Sequence, residues 1–503
     1  ADPPRRDERS LRFKAEVTSL RYPLKPIQVD PDAKTYNIVW LVAESLRADM
    51  VDPEIMPETE KFARQSIWFK DHYSSGNGTR MGIFGMFYGL YGNYWFPFLD
   101  AARGPVLVDL LIENGYQFGL YTSAKFTYPE FDKTIWARID PSLFHECDSS
   151  LEGWENDRIH VGELLRFIDN RDPARPFLTF LFFESPHARY YFPPESVIRN
   201  DYIKDFNYVT TDLEANIALI KNRYINSCHH LDSQYARIFD YLKKHDLLDS
   251  TIVLVTGDHG DKIPENNLEN RVEFLKKSLS KGSTGKASSS WVRARRKAVA
   301  SLRAGWFSTA RVLHRAGVLE SPLVSVTGHG YHVYDSLVRV PLVIAGGPVA
   351  AAGRCVDQQA RQIDIMPTIL DLVGLAAATP TTAEGRSLRP LMQGKALPAV
   401  PAFIETCQNS REPSSFYGIR HDGYKYAFDA DNPKTPEELY DLSADPEETR
   451  NLAAVMPEKA AALRALIAGH LAQAGAAVSM KDEMSDKEMA GLAEHLRKLG
   501  YVE

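Results

Sequence analysis

A set of short apolar runs that do not alternate constrains this chain more than any other feature. Asn37–Ala43 (NIVWLVA), Gln117–Tyr121, Pro176–Phe183 (PFLTFLFF), Thr251–Thr256 (TIVLVT) and Val340–Ile344 are each bounded by polar or turn-forming residues. A half-exposed strand alternates apolar and polar positions. A run without alternation suits a strand buried on both faces, as in a parallel sheet. Amphipathic stretches lie between the runs: Val106–Asn114, His160–Asp169 and the long Leu213–Lys244, with Ile217, Ile220, Tyr224, Leu231, Tyr235, Ile238 and Leu242 at helical spacing. Strand–helix alternation of this kind predicts an α/β fold, a doubly wound and mostly parallel sheet flanked by helices. Such sheets bind ligands beyond the carboxyl ends of their strands. Glu44 and Asp258-His259 each follow one of the runs, so these polar ends should converge on one edge.

At 503 residues the chain exceeds one small core. Residues 1–34 are polar and proline-marked and read as a lead-in. Residues 35–374 read as the main domain, and 375–503 as a smaller C-terminal α+β part. That part has short strands at Ala402–Glu405, Phe416–Arg420 and Tyr424–Phe428, a helix over 457–472 and a helical tail. Residues 264–325 interrupt the main domain with eleven Lys and Arg residues from Lys276 to Arg315 and with Trp291 and Trp306, so basic amphipathic helices are expected there. Such an insertion is either a solvated surface or a contact for an anionic membrane surface. The net charge of −7 gives no global basic field for nucleic acid. No window approaches the roughly 20 apolar residues of a membrane span. Because the chain starts Ala1-Asp2-Pro3, a removed signal peptide or membrane segment is an expectation. Cys147, Cys228, Cys355 and Cys407 form no CxxC pair, which argues against a zinc ribbon and leaves one or two bridges open.

Glu44, Thr79 and Asp258-His259 are the groups that carry chemistry. Two carboxylates, an imidazole and a hydroxyl make a mixed oxygen and nitrogen shell, which suits Zn²⁺ or Mn²⁺ best and leaves Mg²⁺ or Ca²⁺ as further candidates. A cation touching a threonine hydroxyl lowers its pKa and makes it a nucleophile. Thr79 follows the turn-forming Ser74-Ser75-Gly76-Asn77-Gly78 and precedes an apolar run, so it should stand at a helix N-terminus. Helix N-termini attract phosphate, with Asn77 and Arg80 placed to touch it. The plainer alternative is that Thr79 merely caps the helix.

Four blocks, Asn37–Asp49, Ser75–Leu90, Thr251–Gly260 and Leu439–Leu452, together resemble the sulfatase branch of the alkaline phosphatase superfamily and occur in its order. The resemblance leans toward membrane-anchored phosphoethanolamine transferases and lipoteichoic acid synthases. The Thr79 block is also similar to the periplasmic sulfatase-like domain of Gram-negative inner-membrane proteins that bind cardiolipin and lipopolysaccharide. It implies one divalent metal at Glu44, Thr79, Asp258 and His259, with a second metal left open. It implies Thr79 as nucleophile, with His187 and His329 as catalytic groups and His332 beside the substrate. It also implies a periplasmic or otherwise extracytoplasmic location, as the soluble domain of an inner-membrane-anchored protein. True sulfatases carry a Cys or Ser in C/S-x-P-x-R, whereas Thr79 is followed by Arg80-Met81 with no proline. The expected activity is therefore phosphoester hydrolysis, or transfer of a phospho-headgroup on a lipid or envelope glycan through a phospho-threonine. The alternatives are a non-catalytic lipid-binding or sensor domain and, third, a true sulfatase.

Overall fold

The computed structural model describes residues 22–23, 35–206, 211, 215–263, 332–349, 353–380, 383–406, 416–430 and 435–479. The basic insertion 264–325, His329 and Cys407 lie outside the described residues. The first half runs β1 (Asn37–Ala43), α1 (Pro57–Arg64), β2 (Ile67–Phe69), β3 (His72–Tyr73), α2 (Thr79–Tyr88), α3 (Trp95–Asp100), α4 (Val106–Glu113), β4 (Gln117–Thr122), β5 (Phe144–His145), α5 (Gly153–Asn170), β6 (Phe177–Phe183), α6 (Ile217–Lys244) and β7 (Thr251–Gly257). The second half runs α7 (Asp335–Val338), β8 (Leu342–Ala345), β9 (Arg354–Val356), β10 (Ala360–Arg361), α8 (Ile365–Leu372), α9 (Arg389–Met392), β11 (Ala402–Glu405), β12 (Phe416–His421), β13 (Tyr424–Asp429), β14 (Glu438–Asp441) and α10 (Pro457–Ser479).

The main sheet has eight strands in the order β5-β4-β6-β1-β7-β8-β2-β9. From β5 to β7 all neighbours are parallel. β8 departs from the expected direction and runs antiparallel to both β7 and β2. The sheet is therefore mixed, as the reading of a mostly parallel sheet allows. An apolar run shows that a strand is buried, and nothing in it encodes direction.

The missing alternation in β1 has a direct cause. Ile38, Trp40 and Val42 join the core on one face, together with α2, α4 and α8. Val39, Leu41 and Ala43 join the core on the other, with α1, α5 and α6. Both faces are dry, so every position is apolar, and fully burying such a side chain contributes about 1.5–3 kcal/mol. The Trp40 ring of β1 stacks on the Phe87 ring of α2 with centroids 4.3 Å apart.

Register then places the chemistry. Ala43 of β1 lies opposite Phe183 of β6 and Gly257 of β7. The next residue on each strand is Glu44, Glu184 and Asp258, so three acids leave three adjacent strands at one level of the sheet.

The second sheet is antiparallel, in the order β11-β12-β13-β14, with α10 packed on β12 and β13. It closes onto the main domain through a bridge from Glu405 to Gly76. Cys147, Cys228 and Cys355 are free thiols. Among the described residues no helix is long and apolar enough to cross a membrane.

Candidate active site

Thr79 opens α2, but it does not cap it. Gly78 occupies the cap position in an extended conformation, and its carbonyl accepts from the Met81 and Gly82 amides at 3.0 and 3.1 Å. This frees the Thr79 hydroxyl, which donates to Glu44 Oε1 at 3.2 Å. The helix can come this close to the sheet because position 82 is glycine. A Cβ there would stand 2.1 Å from the Asp258 carbonyl oxygen. No side chain fits that gap, and the opposing atom belongs to backbone.

Ser45 turns the chain sharply after Glu44, with φ of +63°, a left-handed conformation uncommon outside glycine. Three hydrogen bonds hold this turn. The Ser45 amide donates to Asp258 Oδ1 at 3.0 Å. The Tyr224 hydroxyl of α6 donates to the Ser45 carbonyl at 2.7 Å and accepts from the Arg47 amide at 3.1 Å.

Glu44, Asp258 and His259 each offer a ligand atom within 4.8 Å of the others, and all three are buried. Asp258 Oδ1 accepts from the amides of Ser45 and His259, while Oδ2 is buried without a hydrogen-bond partner. His259 Nδ1 lies 2.7 Å from the Gly260 carbonyl, which leaves Nε2 on the site side, 3.4 Å from Asp258 Oδ2. Burial pushes the Asp258 and Glu44 carboxyls well above the usual carboxylate range, and Asp258 and Glu184 add to the push on Glu44. Burial also pulls His259 down to about 3, so its imidazole is neutral at physiological pH. Native structures rarely leave a buried polar atom unpaired. Two carboxyls resisting ionisation, one orphaned carboxylate oxygen and one neutral imidazole fit a divalent cation, which would satisfy all of them together.

His187 completes this edge. Its Nε2 lies 3.4 Å from Glu44 Oε1 and its Nδ1 3.7 Å from Glu184 Oε1. Burial opposes its charge, but Glu44 and Glu184 outweigh that and raise it to about 10. Glu44, Glu184 and His187 form a second group whose ligand atoms lie within 4.8 Å. Their loop is pinned by buried Asp157 of α5, which accepts from the Glu184 and Ser185 amides at 3.1 and 3.0 Å and from the Ser185 hydroxyl. Sequence reasoning gave roles to neither Glu184 nor Asp157. The strand-end position of Glu184 was a signal it could have used, whereas Asp157 lies inside a helix and carries none.

The remaining sequence-predicted residues within the described chain are engaged with other partners. The Arg80 guanidinium pairs with Glu130 through two of its nitrogens, Nε and Nη2, at 3.1 and 3.0 Å, so a substrate oxygen would have to compete with that carboxylate. Asn77 spends its side-chain amide on the His332 carbonyl at 2.5 Å. The His332 ring packs on Tyr334 and Phe416, with centroids 4.9 and 5.3 Å away.

A mixed sheet with carboxylates, an imidazole and a helix-tip hydroxyl gathered at its carboxyl edge defines a sulfatase-like hydrolase fold. Residues 36–375 match the family described as Sulfatase, and the chain belongs to the sulfatase family. Residues 329–474 match the family described as N-sulphoglucosamine sulphohydrolase, C-terminal. Among curated proteins the chain is similar to the inner membrane protein YejM of Salmonella typhimurium, 26% identical over 263 residues, which cover 52% of this chain and 38% of that protein. It is also similar to arylsulfatase K of Gallus gallus, 26% identical over 246 residues, covering 48% and 34%. The chain thus spans well under half the length of these relatives. Among solved structures, the phosphonate monoester hydrolase of Agrobacterium radiobacter superposes with a TM-score of 0.55 at 15% identity, covering 93% of this chain and 98% of that one.

Proposed function

We propose that this protein is a metal-dependent phosphoesterase or phospho-headgroup transferase that works through a phospho-threonine at Thr79. The hydrogen bond from the Thr79 hydroxyl to Glu44, beside Asp258 and His259, is the observation that carries this reading. Glu44, Asp258 and His259 would hold the cation, with Zn²⁺ or Mn²⁺ best matched to two carboxylates and an imidazole. When bound, that cation supplies Lewis-acid neutralisation of charge on the phosphoryl oxygens and lowers the hydroxyl pKa.

The chain's own groups do the rest. Thr79 Oγ1 attacks phosphorus while its proton passes toward Glu44, whose carboxyl already accepts the hydroxyl. The first turn of α2 adds its partial positive charge where the phosphoryl group docks. His187, held between Glu44 and Glu184, is the group placed to give a proton to the leaving oxygen. Water or an acceptor hydroxyl, giving its proton to His187, then displaces Thr79 from phosphorus, and the proton held at Glu44 returns to Thr79 Oγ1. Sulfate esters are disfavoured because Thr79-Arg80-Met81 lacks the maturation pattern of a sulfatase nucleophile. The likeness to an inner membrane protein supports an extracytoplasmic setting and a lipid or envelope-glycan substrate. In that setting the basic stretch 264–325 would meet anionic headgroups.

The test is turnover of p-nitrophenyl phosphate against p-nitrophenyl sulfate, with added Zn²⁺ or Mn²⁺, in wild type and Thr79→Ala. The phosphate ester should turn over, and Thr79→Ala should lose at least about a thousandfold. Undiminished activity in Thr79→Ala would remove Thr79 from the chemistry. Stoichiometric metal without turnover of either ester would favour a binding domain.

A further inference from the structure

Beside the nucleophile loop lie a buried carboxyl, Glu405, and a half-buried one, Glu384, that this chemistry does not use. Glu405 ends β11 and is 1% exposed. Its amide donates to the Ser75 carbonyl at 3.1 Å, and its carbonyl accepts from the Asn77 amide at 3.3 Å. It is thus the residue on which the C-terminal sheet holds the loop that leads into Thr79. Its own side chain finds little such anchorage: no side chain hydrogen-bonds to it, and the one polar group facing it with a hydrogen is the Asn93 backbone amide.

The groups around that carboxyl come from three elements. Glu384, in the segment before α9, is an acid near it, and the Asn93 backbone and Tyr94 approach from the turn after α2. His470 of α10 lies 3.6 Å from Glu384, and burial keeps its imidazole neutral. Arg361, the cation near Glu384, is matched by Asp364 at 2.7 Å. Glu384 accepts from the Tyr91 amide at 3.1 Å. No cationic side chain pairs with Glu405 among the described residues. A buried carboxylate without a cation is far costlier than a buried carboxylic acid. Burial, reinforced by Glu384, accordingly pushes Glu405 up to about 8.

We infer that Glu405 is a positioning residue for the nucleophile loop and that it works as a neutral carboxylic acid. Its ionisation would drive the side chain toward water and draw the end of β11 away from Ser75–Asn77. The inference rests on Thr79 being the nucleophile, but its test needs no turnover.

The test is hydrogen–deuterium exchange of peptides spanning residues 74–80 in the full chain from pH 5 to 9, corrected for intrinsic chemistry. In wild type, protection should fall by up to about tenfold per pH unit and level off near pH 8. Glu405→Gln keeps the shape without the charge, so its protection should be full and independent of pH. Glu384→Gln removes the neighbouring acid, so the fall should level off at lower pH. This second variant carries the test should the first fail to fold. Equal, pH-independent exchange in wild type and both variants would overturn the proposal, as would Glu405→Gln losing protection at every pH. Failure of the phosphoester reading would appear separately, as Thr79→Ala with unchanged turnover.

Discussion

Gly82→Ala sets two effects of known size against each other. In a helix interior alanine is favoured over glycine by about 0.8–1 kcal/mol, so propensity alone predicts a more stable protein. The structure predicts the reverse. The new Cβ would meet the Asp258 carbonyl oxygen at 2.1 Å and its carbonyl carbon at 2.8 Å. Neither atom is the end of a side chain that can swing aside, so α2 or the Asp258 turn must move. Overpacking of this kind costs typically 1–3 kcal/mol, which cancels or exceeds the propensity gain. The displaced backbone is that of a candidate metal ligand, so the effect should exceed stability alone, with weaker metal binding and turnover reduced at least about tenfold. Gly469→Ala is the matched control. It lies within the exposed side of α10 with nothing within 4 Å of its Cβ, so it should gain the propensity term undiluted. Urea unfolding of both variants should give a raised midpoint for Gly469→Ala and an unmoved or lowered one for Gly82→Ala. A midpoint for Gly82→Ala raised as much as that of Gly469→Ala would refute the claimed approach of α2 to Asp258.

The other expectations follow from the same contacts. Without metal, Asp258→Asn should be more stable than wild type, because it removes a buried charge that resists ionisation. Added Zn²⁺ or Mn²⁺ should reverse that ranking, since a ligand at a hundred times its Kd stabilises by about 2.7 kcal/mol. A ranking unmoved by metal in thermal melts would tell against the site. Where α7 meets the C-terminal sheet, burial works to raise Asp335, but Lys425 at 2.8 Å and Arg420 hold it down at about 2 against an ordinary 3.8. A depressed carboxyl stabilises above its unfolded pKa. Wild type should therefore exceed Asp335→Asn by roughly 2 kcal/mol at pH 5 and lose that margin between about pH 4 and pH 2. A margin that persists at pH 2 would show that the ion pairs are not its source. Asp157→Asn replaces one acceptor oxygen with a donor facing the Glu184 and Ser185 amides, so the His187 loop should loosen. Faster amide exchange across residues 184–190 would register this, while unchanged exchange would mean Asp157 does not hold the loop.

What the sequence made legible, and what it hid, follows one physical divide. β1, β6 and β7 announced themselves because burial on both faces forces an unbroken apolar run. The ends of those strands then told where Glu44 and Asp258 would leave the sheet. β2 and β9 are only three residues long and β9 is largely exposed, so no run marks them. The antiparallel direction of β8 also left no trace, because a strand dry on both faces is apolar whichever way it runs. Thr79 was placed correctly at a helix tip, but the residue that caps the helix is Gly78, through its carbonyl. A backbone cap carries no side-chain signature.

The same divide explains why the supports of the candidate site were harder to find than its ligands. A ligand must be a particular residue type, and it advertises itself. A support acts by where its partner sits, and the partners here are far apart in the chain. Tyr224 holds Ser45 from 179 residues away. Asp157 holds a loop 27 and 28 residues on. Glu405 grips Ser75 and Asn77 across more than three hundred residues, with backbone atoms that any residue type would supply. Glycine is the exception, because close approach excludes every other residue. Gly82 is therefore a support readable by type once the fold is known, and its substitution probes the Thr79–Asp258 geometry without touching either group.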